Sequence, residues 1–148
     1  MKKKIVVSAF TLVLLVSSVF ANKVEGINQK VLESFKKEFV DAREVSWQVS
    51  NQFSKVSFVF NEQVLFAYYS EDGERIALTR NIRSVDLPMS LSNDLKKAYG
   101  NYWISDLFEF HSKDENAYYV TVENADQRIT LRSLGFDEWI IYKRTEKK

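Results

Sequence analysis

The residues of this chain that could do acid–base chemistry are one histidine and two knots of carboxylates. His111 ends a strand-like run and is followed by Ser112-Lys113-Asp114-Glu115; Glu71, Asp72 and Glu74 gather at another turn. A serine nucleophile would need His111 as its base, and no Gly-x-Ser-x-Gly elbow is present. The carboxylates could serve calcium or a glycosidase pair, but the Asp-x-Asp-x-Asp-Gly spacing of a calcium loop is absent. With no cysteine and a single histidine, a zinc site of the usual kind cannot be assembled within one chain. Neither a phosphate loop nor a dinucleotide fingerprint occurs. A lone histidine and charged turn residues are more often simply solvated, so the expectation is no catalytic residue, no metal and no cofactor.

The aromatic residues offer a different chemistry, that of binding. The chain has 3 Trp, 7 Tyr and 11 Phe, and strand parity divides them between two sheet faces. Val45, Trp47, Val49, Val56, Phe58, Phe60, Ile76 and Leu78 are expected on a helix-covered face, with Phe108, Phe110, Tyr118, Val120, Val122, Ile140 and Tyr142 as their later counterparts. The opposite parity holds Val59, Tyr119, Arg132, Trp139 and Ile141. Tyr, Trp and Arg are enriched where partners bind, so these five are the candidate binding residues. The alternative is that sheet twist, loops or a second subunit cover them. On the binding reading, Tyr119→Ala and Trp139→Ala should weaken association and spare the fold, whereas Trp47→Ala should unfold it.

The elements that must position these residues alternate between two periods. Ile27, Val31, Leu32, Phe35 and Phe39 recur at helical spacing with Asn28 as N-cap, and Val45, Trp47 and Val49 then begin a run with period two. Strands are expected over 45–49, 56–60, 64–70 and around Ile76 and Leu78, with Asp72-Gly73 as a tight turn. The segment 81–89, which contains the only proline, Pro88, is the join. Beyond it Ser90 or Ser92 caps a second helix carrying Leu91, Leu95 and Tyr99 and ended by Gly100. Four further strands follow over 103–111, 117–123, 127–133 and 138–144. The matched order predicts an α+β domain over 28–144 built as a tandem repeat, 28–80 and 90–144, of a helix plus a four-stranded antiparallel meander. In that alignment Val45-Ser46-Trp47-Gln48-Val49 sets against Asp106-Leu107-Phe108-Glu109-Phe110.

The start of the chain reads as an address. Lys2-Lys3-Lys4, an apolar stretch over 5–16 and Val19-Phe20-Ala21 make a signal peptide cleaved after Ala21, with 22–27 as a flexible lead-in. An uncleaved anchor is the rival, but its apolar core is shorter than a span of about 20 residues requires. The net charge is +1, and it turns slightly negative once the leader lysines leave, which gives no electrostatic reason for nucleic acid. Without cysteine, stability must come from packing.

The motif Val45-Ser46-Trp47, the strand-Asp72-Gly73-strand hairpin and the Leu87-Pro88 join give a chain that resembles the PepSY-like, β-lactamase-inhibitor-like periplasmic proteins of Bacteroidetes-type bacteria. The resemblance covers about residues 28 to 144. It implies that the two meanders join into one curved sheet with helices on one face and an open concave face on the other. In the inhibitor that gives the fold its name, that face grips an enzyme; most PepSY-like relatives have no established activity. This chain departs from the inhibitor in lacking its cysteine pairs, and Gly135-Phe136-Asp137 replaces the Asp-Gly turn in the second hairpin.

The expectation is therefore a periplasmic or secreted, non-enzymatic binding or inhibitory module. It would hold an exported protein or peptide, or a second copy of itself, with no nucleic acid and no membrane span after cleavage. The alternative is a small periplasmic hydrolase or ligand-binding protein whose site the motifs do not reveal.

Overall fold

The computed structural model describes residues 26–148; the expected leader, 1–21, lies outside the described residues, as do residues 22–25. Helix α1 (Gln29–Glu38) is followed by β1 (Arg43–Val49), β2 (Ser54–Phe60), β3 (Gln63–Tyr69) and β4 (Arg75–Asn81). A 3-10 turn (Ser84–Asp86) leads into α2 (Met89–Tyr99), and then come β5 (Trp103–His111), β6 (Asn116–Glu123), β7 (Gln127–Leu134) and β8 (Glu138–Glu146). All eight strands form one antiparallel sheet in chain order.

This corrects the tandem-repeat expectation. β4 pairs with β5 through Leu78↔His111, Thr79↔Phe110, Arg80↔Glu109 and Asn81↔Phe108, so the sheet has no boundary at the supposed join. Nor do the sides of the sheet repeat. Trp47 packs with α1, while Phe108, its counterpart in the sequence alignment, lies in a cluster on the other face. A bulge between Ile104 and Asp106 shifts the register of β5, and one residue of slip exchanges the faces. The architecture is a single eight-stranded meander carrying two helices.

Both helices lie on the same face. Asn28 caps α1 by accepting the amide of Lys30 at 2.9 Å, and Val31, Phe35 and Phe39 pack on Val56, Phe58, Leu65, Ala67 and Tyr69. Ile27, assigned to the flexible lead-in, packs against the same cluster. Under α2, Leu95 meets Leu107, Val120, Val122, Ile129 and Leu131. The cap of α2 differs from expectation: Pro88 occupies the N-cap, and the Ser90 hydroxyl donates instead to the Phe136 carbonyl on the β7–β8 turn.

The Asp72-Gly73 turn seats the hairpin on α1. Gly73 has φ +80, and a Cβ there would lie 2.8 Å from the Lys30 carbonyl oxygen, so only glycine satisfies both the turn and the helix contact.

Candidate functional site

The sheet face turned away from α1 and α2 is the candidate. Register places Phe66, Thr79, Phe110 and Ala117 in one row across it, and Asn81, Phe108, Tyr119, Arg132 and Ile140 in the next. The inner part of this face is a second core. Phe53, Tyr68, Phe108, Phe110 and Tyr119 are all buried there, with Phe66, Ile76 and Tyr142 partly buried at its margin.

Charged side chains border that core. Lys55 on β2 and Asp106 on β5 have two strands between them, and each feels the other's charge. The Lys55 amine sits 4.9 Å from the Phe66 ring centre and 5.7 Å from that of Tyr68. Loss of water lowers the pKa of Lys55, and Asp106 only partly opposes this. The same loss raises Asp106 despite Arg128 and Lys55 nearby, and pushes Tyr68 up to about 12. A cation over two aromatic rings and an exposed carboxylate thus stand on the same face.

The five sequence candidates are divided by the structure. Tyr119 and Arg132 do meet on this face as register partners, but Tyr119 is only 2% exposed and belongs to the aromatic core. Arg132 is held by Glu115 at 2.6 Å. Val59 shares the face but stands at its far side, paired with Val64. Trp139 and Ile141 are on the other face: Trp139 packs in the α2 cluster and its indole N–H donates to the Leu91 carbonyl at 2.8 Å, while Ile141 pairs with the α2-side Leu131. A bulge between Thr130 and Leu131 offsets β8, leaving Tyr142, assigned to the helix side, against Tyr119 instead. Phe108 and Phe110 are displaced from their expected face in the same way. The residues that parity reading missed, Lys55, Phe66, Asp106 and Tyr142, carried no signal beyond an alternation that the bulges interrupt.

At one end of this face lies a charged clamp. Glu123, 5% exposed, accepts from Arg128 and from Lys147, each at 2.7 Å. The Lys147 amine also lies 4.6 Å above the Trp103 ring, so the C-terminal tail is pinned to β6 and the β6–β7 turn. The Lys147 and Ser105 hydrogen bonds, joined by Arg128, hold the Glu123 carboxyl at about 2.

The candidates for acid–base chemistry are placed where they do something else. His111 has both ring nitrogens engaged, Nδ1 with Asn116 Oδ1 at 2.7 Å and Nε2 with Glu109 Oε2 at 3.1 Å. Glu109 is in turn bonded to Arg80. Burial pushes the Glu109 carboxyl up, but the Arg80 and His111 hydrogen bonds outweigh it and keep it below the ordinary range. Asp72 lies 3.8 Å from Lys30 of α1, and Glu115 holds Arg132, so both are tied to structural partners. Among the described residues, no group of three or more His, Cys, Asp or Glu is arranged to hold a metal, and no helix is long and apolar enough to cross a membrane.

No protein-family model and no curated protein matches this chain. Solved structures share its fold. A DUF2874 family protein from Bacteroides ovatus is 17% identical with TM-score 0.71, over 85% of this chain and 89% of that one. A BLIP-like protein from Bacteroides fragilis is 12% identical with TM-score 0.69, over 80% and 85%. A candidate periplasmic protein from Bacteroides eggerthii is 11% identical with TM-score 0.70, over 80% and 87%. At such identities the likeness is one of fold.

Proposed function

We propose that this chain is an exported, non-catalytic binding or inhibitory module of the PepSY-like, β-lactamase-inhibitor-like kind, which holds a protein partner on the helix-free face of its sheet. The observation that carries this reading is the surface around the aromatic core. Phe66, under the Lys55 amine, and Tyr142, against Tyr119, stay partly exposed there, and Trp103 is 52% exposed at the clamp end of the same face, with both helices on the other side of the sheet. Large flat side chains with charges at their edges are the composition of a protein-binding surface. The fold shared with a BLIP-like protein and with a candidate periplasmic protein supports both the face and the compartment. A catalytic reading has less to stand on, since neither ring nitrogen of His111 is free to take a proton from a substrate.

The test is photo-crosslinking in periplasmic extract. Crosslinkers placed at Trp103 and Tyr142 should trap one and the same protein, and placed at Met89 on α2 or at Phe136 beside it they should not. Equal trapping at all four positions, or none at Trp103 and Tyr142, sinks the reading.

A further inference from the structure

Val122 packs in the cluster under α2, so its strand neighbour Glu123 points to the helix-free side of the sheet. Register sets Trp103 against Glu123, Glu123 against Arg128 and Arg128 against Thr145, one cross-strand row from β5 to β8. Lys147 follows the last residue of β8, and its amine reaches back into this row. Three kinds of group surround that amine. Glu123 Oε2 lies at 2.7 Å, the Asn124 carbonyl accepts at 2.9 Å, and the Trp103 ring centre is 4.6 Å away. A carboxylate, a carbonyl and an aromatic face make a cage for an ammonium group, and each of them attracts the charge itself. The cage also discriminates between cations. Arg128 Nε occupies Glu123 Oε1 at 2.7 Å, so a single carboxylate oxygen faces the Lys147 amine. A guanidinium gains most where it bonds both oxygens side by side, whereas an ammonium is a compact point charge that needs only one.

The cage is set deeper than its occupant, the Glu123 side chain being 7% exposed and that of Lys147 34%. Exchanging one ammonium for another keeps the charge at Glu123 balanced. Arg128 stays on the carboxylate while the cage is empty, so the swap strands no bare buried charge. We propose that this cage is a lysine-binding site, filled from within by Lys147 and taking in its place the side chain of a lysine on a partner polypeptide. Trp103 is 52% exposed on the same face, so a partner can approach the ring that the Lys147 amine covers. The incoming lysine competes with a tethered one, whose effective concentration is on the order of millimolar, so the exchange belongs to a partner already held by further contacts. In that respect it rests on the partner surface proposed above; the cage itself does not.

The test is an NMR titration at constant ionic strength with the capped peptide acetyl-Gly-Lys-Gly-amide, following the indole proton of Trp103. Lys147→Ala vacates the cage. In that variant the lysine peptide should move the Trp103 signal and bind about tenfold or more tighter than the same peptide with norleucine, and several-fold tighter than with arginine. Adding Glu123→Gln to Lys147→Ala should weaken the lysine peptide by about tenfold or more. In the parent, where Lys147 competes from within the chain, the same shift should need about tenfold more peptide. Norleucine or arginine binding as tightly as lysine, or binding indifferent to Glu123→Gln, overturns the proposal. So does a parent that responds as readily as Lys147→Ala, or one that does not respond at all. If Lys147→Ala does not fold, the three peptides on the parent decide, since the lysine peptide alone must then move Trp103. Failure of the peptides would leave the aromatic surface standing, whereas failure of crosslinking at Trp103 and Tyr142 would remove that surface and leave the cage.

Discussion

The Phe108 and Tyr119 rings lie stacked across β5 and β6, centroids 5.3 Å apart and planes 8° from parallel. Phe110 and Tyr142 meet Tyr119 edge-on at 6.0 and 5.5 Å, so its ring is enclosed on three sides by aromatic neighbours. Burial, the largest effect, raises the pKa of its hydroxyl, with the Glu115 charge adding to it. A helix-free face has thereby become an interior, and Tyr119 holds it together.

Tyr119→Ala should consequently cost stability. Truncating a ring this buried leaves a cavity worth about 3–5 kcal/mol, the same range expected for a core aromatic elsewhere. Urea titration of the two proteins checks this. A loss under about 1 kcal/mol would show that the aromatic cluster is not a core.

Trp139→Phe separates the two contributions of that side chain. The phenyl ring keeps most of the packing on the α2 cluster but lacks the N–H that reaches Leu91, so the expected loss is about 0.5–1.5 kcal/mol. Trp139→Ala should lose about 2–3 kcal/mol, less than a fully buried Trp, because the ring is half-buried. Thermal melts of both variants give the comparison. An alanine variant as stable as the parent would return Trp139 to the open surface.

The positions of the strands were legible because alternation survives locally. Trp47, Val56 and Phe58 do lie under α1, as their parity implies. What parity could not carry was the face of β5 and β8, since each contains or borders a bulge that side-chain types do not announce: nothing in Ile104-Ser105-Asp106 marks the irregularity there. Phe108 and Trp139 therefore changed sides. The division into two units failed for a related reason. Element order repeats, but β4 and β5 pair without a break, and pairing across a join is invisible to a comparison of one half with the other.

Gly73→Ala should destabilise the protein although the residue sits in a turn. The new methyl would meet the Lys30 carbonyl at 2.8 Å and the Ser34 hydroxyl at 3.0 Å, and φ +80 is itself unfavourable for alanine. A loss of about 1–3 kcal/mol is expected. Gly135→Ala is the matched control, because φ is +65 there too but nothing lies within 4 Å of its Cβ. Equal losses in denaturant titrations of the two would mean that the contact with α1 adds nothing.

The pH dependence of stability should carry the mark of Glu123. Its carboxyl is moved from the ordinary 4.5 to about 2 in the folded protein by the Lys147 and Ser105 hydrogen bonds, with Arg128 adding to them. The unfolded chain therefore takes up a proton at this group at higher pH than the folded chain does. Stability from this group is complete above about pH 4.5 and is lost as the pH falls toward 2, where the folded group protonates as well. Glu123→Gln keeps the shape and removes the titration, so the variant should be less stable than the parent at pH 7 and the gap should narrow between pH 4.5 and 2. Lys147→Met should flatten the same part of the curve more weakly, since Arg128 remains at 2.7 Å. Denaturant midpoints measured across that window decide it. A gap between parent and Glu123→Gln that stays constant from pH 7 to pH 2 would show that the clamp is not ionised as described.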